Sequence, residues 1–163
     1  LKLQINEAKS AVAGALGRKF LGYALWLAKG LEVKCAVAQK ALDNFKVRIR
    51  QLTRRSGGRS LAQVIEKLRT YLLGWKAYFG LAQTPKVWRE LDQWLRHRLR
   101  AIQLRHWKRP GTIYRELKAL GASEGVAKRV AGNCHRWWRN STGVIKIVLT
   151  IAYFDGLGVP RLS

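Results

Sequence analysis

Polar and apolar positions change rhythm along this chain. Near the start they alternate, as in Leu1, Leu3 and Ile5. Phe20-Leu21-Gly22-Tyr23-Ala24-Leu25-Trp26 is an aromatic-rich run of β character. Lys29-Gly30 marks a turn, and Leu31 to Val37 follows as a further extended segment. A few short strands are expected here, too few to stand alone without a sheet partner.

From about Gln39 the period becomes helical. Ala41, Leu42, Phe45, Ile49 and Leu52 recur at three and four. Thr53-Arg54-Arg55-Ser56-Gly57-Gly58-Arg59 then reads as a loop. Ser60 with Gln63 forms a capping box that opens a strong helix. Its apolar face runs through Leu61, Val64, Ile65, Leu68, Leu72, Trp75 and Phe79, with Tyr71 and Tyr78 widening it. Thr84-Pro85 opens the next helix, with Thr as N-cap and Pro at the first helical position. Val87, Trp88, Leu91, Trp94, Leu95, Leu99 and Ile102 cover one side of it. Ile113, Leu117 and Leu120 mark a short helix closed by Gly121, and Ser123 starts another. Residues 142–157 read as one final apolar helix stopped by Gly156 or Gly158. The fold class is therefore mostly α: a helical bundle preceded by a few short β-strands.

Charge sharpens the picture. The 163 residues include 32 Lys and Arg against 9 Asp and Glu, a formal net charge of +23. Such a balance favours a polyanionic partner, and a hydrophobic content of 48% excludes a disordered basic tail. Seven Trp provide core anchors and base-stacking platforms. Cys35 and Cys134 lie far apart, so neither a zinc site nor a disulfide framework is expected, and a reduced, cytoplasmic protein is the simplest reading. The most apolar stretch, Val144 to Phe154, contains Lys146 and is too short to span a bilayer, so no membrane partner is expected. The chain begins with Leu1, from which a carboxyl-terminal piece of a longer protein, or a degenerate remnant of one, is expected.

Candidate phosphate contacts follow from spacing. Arg54, Arg55 and Arg59 occupy a glycine-containing strap of one charge sign. Arg69 and Lys76 flank the apolar face of the capped helix. Arg89, Arg96 and Arg100 are spaced by seven and four, so on a helix they form one stripe opposite the apolar side, with Trp107 in line. That stripe is expected to face solvent and track a polyphosphate. Lys108 and Arg109 continue the basic surface, and Arg136, Trp138 and Arg139 are basic and aromatic together. The two short helices joined at Gly121-Ala122 also permit a DNA-binding helix-turn-helix reading over residues 112–133. The acids are scattered and His97, His106 and His135 are isolated, so no catalytic or metal-binding constellation is expected.

These segments resemble a known family. Ser60-Leu61-x-x-Val64-Ile65-x-x-Leu68, with Tyr71-Leu72-x-Gly74-Trp75-x-x-Tyr78-Phe79, is similar to the opening of the group II intron maturase domain, the thumb or domain X. Its usual Phe-x-x-Leu-Asp-x-Trp-Leu-Arg element has a counterpart in Trp88 to Arg96, and Trp107-Lys108-Arg109-Pro110 continues the likeness. Tyr153-Phe154-Asp155-x-Leu157-Gly158-Val159-Pro160-Arg161-Leu162 resembles the ending of bacterial members. Leu3-x-Ile5-Asn6-x-x-Lys9-Ser10 and Phe20-Leu21-Gly22-Tyr23 resemble late motifs of the reverse-transcriptase palm. The resemblance implies a palm remnant over 1–38, a thumb over 39–141 and a carboxyl-terminal helix and tail over 142–163. It implies group II intron RNA and a template–primer RNA–DNA duplex as partners, and an upstream palm and fingers half. Asn6 and Lys9 would support the palm. The paired Asp of the polymerase site is absent from these residues, so Mg2+ is implied only for an intact polymerase and no primer extension is expected of this chain alone.

Overall fold

The computed structural model describes residue 12, residues 14–54 and residues 58–163. Three strands, β1 (Lys19–Phe20), β2 (Tyr23–Leu27) and β3 (Val33–Val37), form an antiparallel sheet in sequence order. Phe20 pairs with Tyr23, so Leu21 and Gly22 alone make the first turn. Both have positive φ, 49° and 82°, which a two-residue hairpin turn of this hand requires. Gly22 is needed for a second reason: a Cβ there would lie 3.2 Å from the ring of Phe79.

Helices follow: α1 (Gln39–Leu52), α2 (Leu61–Tyr78), α3 (Pro85–Trp107), α4 (Pro110–Ala119) and α5 (Glu124–Gly132), then the short α6 (Trp137–Asn140) and α7 (Ile151–Gly156). The Ser60 capping box forms in full, Gln63 N–H donating to Ser60 Oγ and Ser60 N–H to Gln63 Oε1. Pro85 takes the first position of α3, but Thr84 makes no side-chain cap and its Oγ1 is buried without a partner. Ser123 caps α5 by accepting from Val126 N–H. Gly121, at φ 83°, ends the α4 turn.

The core joins the faces read from the sequence. Phe45 and Ile49 of α1, Leu68 and Leu72 of α2, and Leu95 and Leu99 of α3 are fully buried. Phe45, Trp75, Phe79 and Trp88 form a continuous aromatic seam, with neighbouring ring centroids 4.3–5.2 Å apart. The sheet hangs on this bundle by its first turn: Tyr23 Oη donates to the Tyr78 carbonyl, and Tyr78 Oη donates to the Leu21 carbonyl at 2.9 Å. Gln83 N–H donates to the Cys35 carbonyl at 2.8 Å.

The expectation of one final helix over 142–157 is corrected. A 3-10 turn, Val144–Ile147, precedes α7, and Thr150 restarts the helix by accepting from Tyr153 N–H. Val144, Ile145, Ile147, Val148, Thr150 and Ile151 are all β-branched, a run that disfavours one continuous helix. The break lets the segment fold back along α3, burying Ile145, Leu149 and Phe154 completely. Among the described residues no helix is long and apolar enough to cross a membrane.

Candidate nucleic-acid interface

α3 is the central helix, and this decides which of its arginines face solvent. One side packs on α1 and α2. The other side is covered by the returning segment after residue 142. Arg96 therefore has no exposed surface and Arg100 is only 6% exposed. The expected solvent-facing ladder of Arg89, Arg96 and Arg100 is corrected: Arg89 alone of the three is exposed. The spacing was right and the inference of solvent was not, because a helix buried on two sides needs partners for charges on its second side.

For Arg96 those partners are two carboxylates and a backbone carbonyl. Arg96 donates from Nη1 to Asp92 Oδ1 at 2.8 Å, and from Nη2 to Asp155 Oδ1 at 2.9 Å and to the Pro160 carbonyl at 3.3 Å. Asp92, itself buried, accepts from the backbone N–H groups of Leu162 and Ser163 at 3.0–3.1 Å. Arg161 closes the knot with a 2.6 Å bond from Nε to Asp155 Oδ2. Burial raises the Asp155 carboxyl, but the bonds from Arg161 and Arg96 outweigh it and hold the group below its ordinary value of 3.8. The Leu-Asp-x-Trp-Leu-Arg element of α3 and the Asp155-to-Leu162 ending are thus two halves of one structural lock. The geometry gives Arg96 a fastening role.

Two basic depressions remain open. The first, about 680 Å³, lies between α1 and α2 and is lined by Arg48, Arg59, Lys67, Thr70 and Tyr71. Arg48, Arg59 and Lys67 are exposed, and no ion pair among the described residues uses them. Arg48 and Lys67 were not singled out by spacing. Their signal was available only once α1 and α2 were laid side by side. The second depression, about 880 Å³, lies between α3 and the returning segment, with His97, Arg100, Lys146 and Arg161 on its walls.

The other expected residues fall around these sites. Arg54 is exposed at the end of α1, and Arg55, Asn6 and Lys9 lie outside the described residues. Arg69, Lys108, Arg109, Arg136 and Arg139 are exposed. Lys76 is exposed, and its Nζ donates to the Arg161 carbonyl at 2.9 Å, so it also fastens the tail. Trp107 is half-buried against the core, which corrects its placement on an open stripe. Trp138 is 40% exposed and packs on His97 with ring centroids 4.0 Å apart. Arg98 donates from Nε to Thr53 Oγ1 at 2.6 Å, and its guanidinium lies over Trp94 at 5.4 Å, so it ties α3 to the end of α1.

A search of curated proteins found no match to the chain. Residues 42–121, which run from α1 through α4 to the glycine that ends it, match the family model of the group II intron maturase-specific domain. That stretch holds both helices of the α1–α2 groove and the whole of α3. Residues 42–121 are thus similar to a group II intron maturase-specific domain, a domain that implies a role in group II intron splicing.

Proposed function

We propose that the chain binds group II intron RNA, with the groove between α1 and α2 as its principal backbone contact. The observation that carries this reading is the groove itself: Arg48, Arg59 and Lys67 line one depression inside the maturase-specific domain, exposed and without ion pairs among the described residues. Lysine and arginine in such a setting release counterions when phosphates replace solvent, and A-form RNA is read through its backbone and 2′-hydroxyls. Arg54 and Arg69 extend the same basic surface. Tyr71 lines the groove while its ring packs on Phe45 at 5.8 Å, which fixes the floor on which a backbone would rest.

In a larger reverse transcriptase the same bundle would act as the thumb that holds a template–primer duplex. The sheet supports an upstream palm half as a further partner, because Phe20, Leu31 and Val33 are 76%, 81% and 57% exposed. Replacing Arg48, Arg59 and Lys67 together by Ala tests the groove. Three lost phosphate contacts, at about 0.7 each for single strands, should flatten the log–log salt slope for RNA binding by about 2. An unchanged slope in a folded variant removes the groove from the interface.

A further inference from the structure

The cleft between α3 and the returning segment holds two cations, Arg100 and Lys146, that form no ion pair among the described residues. Arg100 is 6% exposed, and its Nε donates to the Leu149 carbonyl at 2.7 Å. No carboxylate pairs with it among the described residues, although two carboxylates close the neighbouring knot around Arg96. Lys146 is exposed across the cleft and forms no ion pair among the described residues. On the same wall Arg96 Nε is buried with no hydrogen-bond partner. A buried cation without a counterion is costly, and proteins retain such groups where an anion completes them. Burial, and then the nearby Arg96, push the Arg100 guanidinium down from its ordinary value. His97, on the same rim, is pushed down by burial and then by Arg100, Lys146 and Arg98, against a bond to the Trp138 carbonyl that raises it. In both groups burial is the larger cause, and the neighbouring cations add to it.

We propose that this cleft is a phosphodiester subsite for an unpaired nucleotide of the bound RNA, with Arg100 and Lys146 holding the phosphate and the His97–Trp138 pair beside it. The volume, about 880 Å³, suits a nucleotide-sized occupant. His97 lines the cleft and packs on the partly exposed Trp138, ring centroids 4.0 Å apart, which gives a base an aromatic pair at the rim. Glu90 also lines the cleft and disfavours a second phosphate there. This subsite rests on the RNA-binding reading but is separate from the α1–α2 groove.

The test follows the imidazole signals of the full chain by NMR. His97 is assigned by their loss in His97→Gln and is titrated with inorganic phosphate and with a single-stranded oligouridylate. The His97 signal should move saturably with both. Lys146→Ala should leave the melting temperature unchanged and weaken the oligonucleotide response, lowering its salt slope by about 0.7. Movement with phosphate but not with the oligonucleotide means an adventitious ion only and overturns the proposal. A silent His97, or an unchanged slope in Lys146→Ala, also overturns it. If intron RNA is still retained in either of those cases, the α1–α2 reading stands without the subsite. A chain that binds no RNA at all removes both.

Discussion

Arg96 is a guanidinium held by two carboxylates and a carbonyl inside the molecule. Removing it leaves Asp92 buried and Asp155 half-released, so Arg96→Ala should destabilise the fold by about 3–5 kcal/mol, measured by denaturant unfolding. Arg96→Lys should rescue little of this, because one ammonium cannot span both acids with the geometry of a planar fork. Asp155 makes the lock sensitive to acid. Its folded pKa lies below its unfolded value, so the stabilisation is complete above the ordinary 3.8 and is lost as pH falls through the folded value. Unfolding curves for Asp155→Asn should therefore lack part of the acid-dependent loss seen in the parent below about pH 4. His97 acts with the opposite charge but the same slope. Its folded pKa is lowered, so the unfolded chain binds more protons below the ordinary 6.5, and stability falls as pH drops from there towards the folded value. At this scale the sequence was half legible. Spacing placed Arg89, Arg96 and Arg100 on one line, but the acids that claim Arg96 lie four and fifty-nine residues away. The near one, Asp92, was readable as an i, i+4 partner. The far one required the tail to fold back.

At the scale of elements, the helices with strong local signals stood where they were read. α2 begins after its capping box, and Ser60→Ala should lower stability by about 1 kcal/mol in thermal or denaturant unfolding. The β1–β2 turn depends on Gly22. An alanine there would meet both a positive φ and the Phe79 ring, and should cost about 1–2 kcal/mol or more. The final segment was misread for a physical reason. Its apolar residues recur at helical spacing, but β-branching and the Thr150 cap divide it into a 3-10 turn and a short helix. Periodicity reports which residues will be buried, and Ile145, Leu149 and Phe154 are. It does not report whether the backbone between them stays helical. The α1–α2 groove was invisible for a related reason: Arg48 and Lys67 become neighbours only through helix pairing.

For the whole molecule, charge is the dominant fact. The chain carries a formal +23, and the ion pairs among the described residues include Lys34, Arg96, Arg115, Lys128 and Arg161 on the cationic side. Such a surface repels itself in the free protein and is relieved by a polyanion. RNA should therefore raise the melting temperature, increasingly with the logarithm of its free concentration above Kd, and added salt should cancel the gain. Charge alone does not distinguish one RNA from another. That distinction is expected of groove shape, and the α1–α2 groove lies within the stretch that matches the maturase-specific domain. The most direct measurement is competition binding of the full chain to a group II intron RNA against an unrelated RNA of equal length, across a series of salt concentrations. A steep salt slope for both, with the intron RNA retained preferentially as salt rises, is the predicted result. Equal loss of both RNAs at every salt concentration, or preference for duplex DNA, would contradict it.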